Sequence, residues 1–197
     1  MSKDKHHHGN LREALISAGI ALMEAGGPAA LSLRKCAARA GVSHAAPAHH
    51  FSGIISLKTA IVARSYQIFT ETMRAHRAGI TEPRARLLAI CEGYLSFART
   101  HTALFQFMFQ PRPEDDAQIN PPILAELELH ATAAYRELAR ACEPFVAMGG
   151  QAGSTEAFVW SLVHGYAMLF ATSPEAATPN GPPPDFAQIL PELPLRK

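Results

Sequence analysis

The stretch Leu31–Phe51 constrains the fold of this chain more than any other segment, because it has the pattern of two short helices folded across a tight turn. Ser32 is a good N-cap for the first helix. Gly41 then supplies the left-handed backbone that ends this helix, and Ser43 is placed to cap a second helix over residues 44–50. This order of features predicts a helix-turn-helix. An ordinary helical hairpin is the alternative.

The charge distribution separates the first part of the chain from the rest. The net charge is +1 over 197 residues, but residues 1–60 contain seven lysines and arginines against three acidic residues, which gives +4 there and −3 in the remainder. This distribution favours a polyanionic partner that binds the basic first part of the chain and not the acidic remainder. The length suits one DNA-reading domain and one helical domain, and an apolar fraction of 48% is enough to form a core.

Apolar residues recur at three- and four-residue steps through most of the remaining chain, which predicts an all-α protein. Before the helix-turn-helix, Asn10 and Glu13 have the spacing of a capping box that opens a first helix. After it, the predicted helices cover residues 52–78, 83–100, 102–109, 123–147 and 154–172, with a short helix at 186–190. Pro144 is expected to kink or shorten the end of the helix over 123–147.

The cysteines and the apolar stretches indicate the cellular compartment. Cys36, Cys91 and Cys142 are widely spaced in apolar patterns, which is typical of reduced core thiols. The first ten residues are polar and do not resemble a signal peptide. The longest uncharged stretch, residues 157–173, is shorter than the ~20 residues that a membrane span needs. We therefore expect a cytoplasmic protein with no membrane partner.

Catalytic and metal-binding patterns do not occur at any recognisable spacing. His49 and His50 are adjacent, so on a helix they point about 100° apart and cannot easily chelate one ion. The acidic run Glu114–Asp116 lies in a proline-rich segment and is typical of a solvated loop. The sequence thus predicts no enzyme, no bound metal and no cofactor.

Further motifs accompany the helix-turn-helix, and their order and spacing are specific. They are His7-His-Gly-Asn-Leu-Arg-Glu-Ala-Leu15, Gly26-Gly27, Leu31-Ser-Leu-Arg34, Ala40-Gly-Val-Ser43 and His50-Phe51. Together they resemble the amino-terminal domain of the TetR (tetracycline-repressor) family over about residues 7–70. Much later, Trp160-Ser-Leu-Val-His-Gly165 resembles the Trp-His-Gly signature of one group of TetR-type ligand domains.

The resemblance implies both an architecture and a function. It divides the chain into a helix-turn-helix DNA-binding domain over residues 1–51, a connector helix over 52–78, and a ligand-binding and dimerisation domain over 79–197. It implies a homodimeric transcription regulator that binds double-stranded DNA at a palindromic operator. It also implies that a small-molecule effector, expected to be apolar, releases the protein from DNA.

Residues of the helix-turn-helix are the expected DNA contacts. Base edges would face Ser43, His44 and Ala45, because the second helix enters the major groove by its N-terminal end. The full set is Ser32, Arg34, Lys35, Ser43, His44, Ala45, Ala48, His49 and Lys58. The family usually has Tyr where this chain has Ala48, and Lys where it has Ile54, and both residues contact the DNA backbone in the family. The alternative interpretation is therefore a degenerate member that binds DNA weakly or not at all and acts through another protein.

The last long helix is apolar on every side and has no charge after Glu156, so we expect a partner subunit to cover it. The expected dimer contacts are Ala157, Phe158, Ser161, Leu162, Gly165 and Leu169. Aromatic and methionine residues are the candidates for a ligand pocket, although residues of this kind are often simply core. The candidates are Tyr94, Phe97, Leu104, Phe105, Phe107, Met108, Phe109, Trp160, His164 and Met168. His164 fits either a hydrogen-bonded core position or a polar contact to the ligand.

Overall fold

The computed structural model describes residues 7–110, 119–173, 175, 178 and 181–196, and these residues form helices joined by short turns. The helices are α1 (His7–Gly26), α2 (Leu33–Arg39), α3 (Ile54–Arg77), α4 (Pro83–Thr100), α5 (Thr102–Met108), α6 (Pro121–Cys142), α7 (Ser154–Tyr166) and α8 (Phe186–Ile189). No β-strand occurs in the described part of the chain. The all-α prediction is confirmed. The acidic run Glu114–Asp116 lies outside the described residues.

Local signals explain most of the helix ends. Gly27 adopts φ 68° and is followed by Pro28, which together end α1. Glu82 caps α4, because its carboxylate accepts hydrogen bonds from the backbone N–H groups of Arg84 and Ala85. The prediction of a capping box at Asn10 is wrong. Helix α1 begins at His7, three residues before Asn10, so Asn10 lies inside the helix.

Contacts divide the chain into two compact units. One part of α3 and one part of α6 belong to each unit. The first unit is Met1–Gln67 with Ala103–Ala131, and the second is Ile68–Thr102 with Thr132–Lys197. In the first unit the core side chains come from α1, α3 and α5, with Phe51 from the loop before α3. They include Leu15, Ile16, Met23, Phe51, Leu57, Ile61, Leu104 and Phe105.

Ion pairs on the first unit connect helices that are distant in sequence. Glu13 on α1 pairs with Arg64 on α3. Arg12 donates to Glu126 on α6 at 2.5 Å. Because all four side chains are partly exposed, these pairs specify how the helices register more than they stabilise the fold.

The second unit has a core of large side chains and a close contact between α3 and α4. A Cβ atom at Gly93 on α4 would lie 2.7 Å from the Cα of Met73 on α3, so only glycine permits this approach. Phe69 packs edge-on against Tyr94 in the same region, with ring centroids 4.7 Å apart. Nearby core residues are Leu87, Ile90, Leu95 and Phe97.

The helix predicted over residues 123–147 runs from Pro121 to Cys142, so Pro144 shortens its end, which is one of the two effects expected of it. The helix predicted over residues 154–172 is α-helical only to Tyr166 and then continues as a π-helix, Ala167–Ala171. The carboxyl-terminal segment is held in the second unit by Arg84, which donates to the backbone carbonyls of Leu190 and Pro191 at 3.1 and 2.9 Å.

Candidate DNA-binding surface and ligand cavity

The first helix of the helix-turn-helix is built as the sequence predicts. Ser32 accepts a hydrogen bond from the backbone N–H of Lys35 at 3.2 Å and so caps α2. Gly41 adopts φ 70°, the left-handed conformation that ends this helix. Cys36 and Ala37 are buried against the corner. Both local predictions are confirmed, and they hold α2 at a defined angle to the turn.

The second helix is shorter and tighter than predicted. Instead of a helix over residues 44–50 capped by Ser43, the structure has a four-residue 3-10 helix, Ala46–His49, without a side-chain cap. The reason is Pro47, which has no N–H to donate to the Ser43 carbonyl four residues earlier. The N–H of Ala46 bonds to that carbonyl instead, at 3.1 Å and a spacing of three residues. We call Ala46–His49 the recognition helix.

The structure places most of the expected DNA contacts on the surface of the first unit. Exposed are Arg34, Lys35, Ser43, His44, Ala45, Ala48 and His49, and Ser32 is half-buried in its cap. Ile54, at the position where the family has lysine, is half-buried at the start of α3. Lys58 is also half-buried, and it lines a cavity.

This cavity lies within the first unit and has a volume of about 410 Å³. It is lined by one face of α3, by the last turn of α5 and by α6. The lining residues are Ile55, Lys58, Thr59, Val62, Tyr66, Phe107, Met108, Phe109, Gln110, Leu127, Glu128 and Ala131. Its size is within the range of small-molecule sites, roughly 300–1,000 Å³, and its mostly apolar wall with a few polar groups is typical of them.

The residues proposed from the sequence for a ligand pocket are distributed over different parts of the structure. Phe107, Met108 and Phe109 line the cavity. Tyr94, Phe97, Leu104 and Phe105 are buried core residues. Trp160 and Met168 are 40% and 45% exposed.

Of the cavity residues that sequence reasoning missed, Gln110, Leu127, Glu128 and Ala131 lie after α5 or on α6, and four lie on the connector helix, at Ile55, Thr59, Val62 and Tyr66. Their three- and four-residue spacing was readable in the sequence. It does not distinguish a face that packs on a neighbouring helix from one that borders a cavity, so no sequence signal would have separated the two.

His164 is hydrogen-bonded in the core of the second unit. Its Nδ1 lies 2.8 Å from the hydroxyl of Tyr94, whose side chain is 2% exposed. Burial lowers the pKa of His164, because the charged imidazolium loses solvation. A neutral histidine therefore fits this position.

Several large apolar side chains of α7 and its π-helical extension are exposed in the single chain. Leu169 is 65% exposed, Met168 45% and Trp160 40%. Of the expected dimer contacts, Ala157 and Ser161 are exposed, and Phe158, Leu162 and Gly165 are half-buried. A Cβ atom at Gly165 would meet nothing within 4 Å.

Metal binding and cysteine chemistry are not supported in the part of the chain that the structure describes. No group of three or more histidine, cysteine or acidic side chains could hold a metal ion there. All three cysteines are buried and free, and burial raises the pKa of Cys142 to about 12, so this thiol is unreactive at neutral pH. Among the described helices, none combines the length and the apolar character needed to cross a membrane.

Comparison with known proteins agrees with this architecture. Residues 87–187, slightly more than half of the chain, match the family described as "Tetracyclin repressor-like, C-terminal domain". No curated protein matches the sequence. A solved protein of unknown function from a Rhodococcus species is similar with a TM-score of 0.61 and 26% identity, covering 85% of this chain and 86% of that chain.

Two further solved structures share the fold at lower identity. The TetR family transcriptional regulator PfmR from Thermus thermophilus has a TM-score of 0.58 and 16% identity, covering 81% of this chain and 85% of that one. A TetR family transcription regulator from Marinobacter aquaeolei has a TM-score of 0.57 and 16% identity, covering 83% and 85%.

Proposed function

Since this chain belongs to the TetR family of transcription regulators, which are DNA-binding proteins and not enzymes, we propose that it is a repressor that an effector molecule releases from its operator. The observation that supports effector control is the position of the cavity. It lies in the same compact unit as the helix-turn-helix, and its wall includes the first turns of α3.

The link from the cavity to the recognition helix is short. Only four residues separate His49 from Ile54. One of them, Phe51, is buried, so its side chain cannot move unless the neighbouring side chains repack. A ligand that pushes on Ile55 or Thr59 therefore acts on the helix whose first turn follows the recognition helix. A ligand that binds more tightly to the position that α3 takes off DNA than to its position on DNA would couple ligand binding to DNA release.

For DNA, we propose the surface formed by α2, the turn and the recognition helix. Its exposed Arg34 and Lys35 provide charge for phosphates, and Ser43, His44 and Ala45 lie exposed at the start of the recognition helix. We also propose a homodimer through α7 and its extension, because large exposed apolar side chains such as Trp160, Met168 and Leu169 are typical of subunit interfaces.

Selection of bound fragments from genomic DNA tests the function directly. We expect enrichment of a palindrome with half-sites about one helical turn apart, as a two-fold symmetric dimer requires. The wild-type chain should then lose affinity for the selected fragment when an effector fills the cavity.

Failure to enrich any fragment would argue against the repressor. It would favour a family member that acts through another protein, an alternative supported by Ala48 and Ile54 at positions where the family contacts the DNA backbone. A variant with Arg34 and Lys35 both changed to Gln is the control, since it should abolish enrichment without changing the cavity.

A further inference from the structure

Lys58 lies on the cavity side of α3. The residues of this helix that line the cavity are Ile55, Lys58, Thr59, Val62 and Tyr66, which fall on one helical face at three- and four-residue steps. Lys58 is thus placed between apolar neighbours at the cavity wall. This position differs from the DNA-phosphate contact that its charge suggests in the sequence.

The ammonium group of Lys58 lacks a partner among the residues that the structure describes. No hydrogen bond or ion pair joins it to any of them, although the side chain is half-buried. Two other half-buried cations described in this unit are paired, Arg12 with Glu126 and Arg64 with Glu13. Water reaches the nitrogen of Lys58, so the covered part of the side chain is mainly its apolar stem, and the ammonium group is available to a ligand at the cavity wall.

Glu128 on α6 lines the same cavity but does not pair with Lys58 or with any other described residue. It is exposed, so water can solvate its carboxylate. Among the residues that the structure describes, the cavity wall therefore carries one negative charge, at Glu128, and one positive charge, at Lys58, and neither is paired. The remaining wall is largely apolar, with Val62, Phe107 and Leu127 among its residues.

We propose that the cavity takes an apolar molecule that carries one anionic group, a carboxylate or a phosphate, and that Lys58 binds this group. The inference rests on the proposed function only in treating the cavity as the effector site. It replaces a neutral apolar effector by an anionic amphiphile, and it removes Lys58 from the DNA-binding surface.

Calorimetric titration of the full chain with decanoate, decanol and decylamine tests the ligand class, because the three probes share one apolar chain and differ in charge. We expect decanoate to bind about tenfold more tightly than decanol, as a charge-assisted hydrogen bond implies. Decylamine should bind most weakly. Decyl phosphate, tested alongside, should bind at least as tightly as decanoate if the anion rather than the carboxylate geometry is recognised.

Two variants change the affinity for decanoate in opposite directions. Lys58→Gln should abolish the preference for decanoate over decanol, while Glu128→Gln should raise the affinity for decanoate by about threefold, because it removes a repelling charge. Arg34→Gln, on the exposed surface of α2, should leave all probe affinities unchanged. Melting temperatures of the variants establish that each is folded, and Glu128→Gln tests the proposal independently of any instability at Lys58.

Equal affinities for decanoate and decanol, an unchanged preference in Lys58→Gln, or failure of all probes to bind would each overturn the proposal. So would a loss of DNA affinity in Lys58→Gln with a salt dependence reduced by about 0.9 per subunit, since this identifies a phosphate contact. These results leave the repressor testable, because operator selection uses no ligand and another effector class can still release the DNA.

Discussion

Glu137 on α6 is buried in the second unit, where it is 2% exposed. Two arginines of α3 lie beside its carboxylate. The Nε atoms of Arg74 and Arg77 donate to its two oxygens at 2.8 and 3.0 Å. Burial acts to raise the pKa of Glu137, but the hydrogen bonds and charges of the two arginines outweigh it and the pKa is lowered. This cluster joins the carboxyl-terminal part of α3 to α6.

We expect Glu137→Gln to lower the free energy of unfolding by about 2 kcal/mol at neutral pH, because two charge-assisted hydrogen bonds are weakened inside the fold. Since the folded pKa is lowered, the stabilisation is fully present above the unfolded pKa of 4.5 and is lost as the pH falls through the folded value. Urea denaturation as a function of pH measures this. The exposed Glu143→Gln should show almost no effect, and a constant difference at all pH values would contradict the explanation.

Ala48 is an exposed residue of the recognition helix at a position where the family usually has tyrosine. Ala48→Tyr should strengthen binding to many DNA sequences alike, by about three- to tenfold, because a hydroxyl that donates to phosphate reads no base. Ala48→Phe is the matched control, since it adds the ring without the donor. Competition gel shifts with selected and random fragments measure both, and equal gains for the two variants would argue against a phosphate contact.

Ile54 behaves differently from Ala48, because it is half-buried in the first turn of α3. Lysine at this position would place a charge where part of an apolar side chain is covered. We therefore expect Ile54→Lys to lower stability by about 1 kcal/mol without the general gain in DNA affinity. Melting temperature and salt-dependent affinity, measured on the same variant, separate the two effects, and a steeper salt dependence at unchanged stability would contradict this expectation.

At the scale of one element, α2 depends on its cap and its turn. Ser32→Ala removes the hydrogen bond to the N–H of Lys35 and should cost about 1 kcal/mol of stability. Ser32→Asp retains a cap and suits the helix dipole, but it brings a negative charge to the proposed DNA surface.

The two variants should therefore separate stability from DNA binding. We expect Ser32→Asp to match the wild-type melting temperature and to lose DNA affinity by more than about tenfold. Thermal unfolding and gel shifts measured together test this. Retained affinity in Ser32→Asp would exclude Ser32 from the DNA surface.

At the scale of the whole molecule, the proposed homodimer through α7 predicts the oligomeric state. Gly165→Trp should convert a dimer to a monomer, because the indole would separate two closely packed helices. The open space above Gly165 within one chain means that folding of the subunit should not be affected. Sedimentation at micromolar concentration measures the state, and Gln188→Trp, exposed on α8, is the control for an added tryptophan.

A monomeric wild-type protein would contradict this interface. It would also remove the basis for a palindromic operator, since one helix-turn-helix reads one half-site. The predicted contacts on α7 stay a prediction until that measurement is made.

Local sequence determined the helical class of this protein and the geometry of its helix-turn-helix. Ser32 and Gly41 act on their own backbone and their near neighbours, so their roles are readable without a tertiary structure. Pro47 belongs to the same kind of signal, because its missing N–H shortens the recognition helix by a purely local effect.

The tertiary structure decided which helical faces meet each other and which border empty space. Nothing in the sequence indicates whether Lys58 and Thr59 line a cavity or face DNA. Likewise, the exposed Trp160 has the same apolar character in the sequence as the buried Phe97. The physical reason is that burial depends on partners far along the chain. The periodicity of a helix states which residues share a face, but only packing against α5 and α6 leaves the cavity beside Lys58.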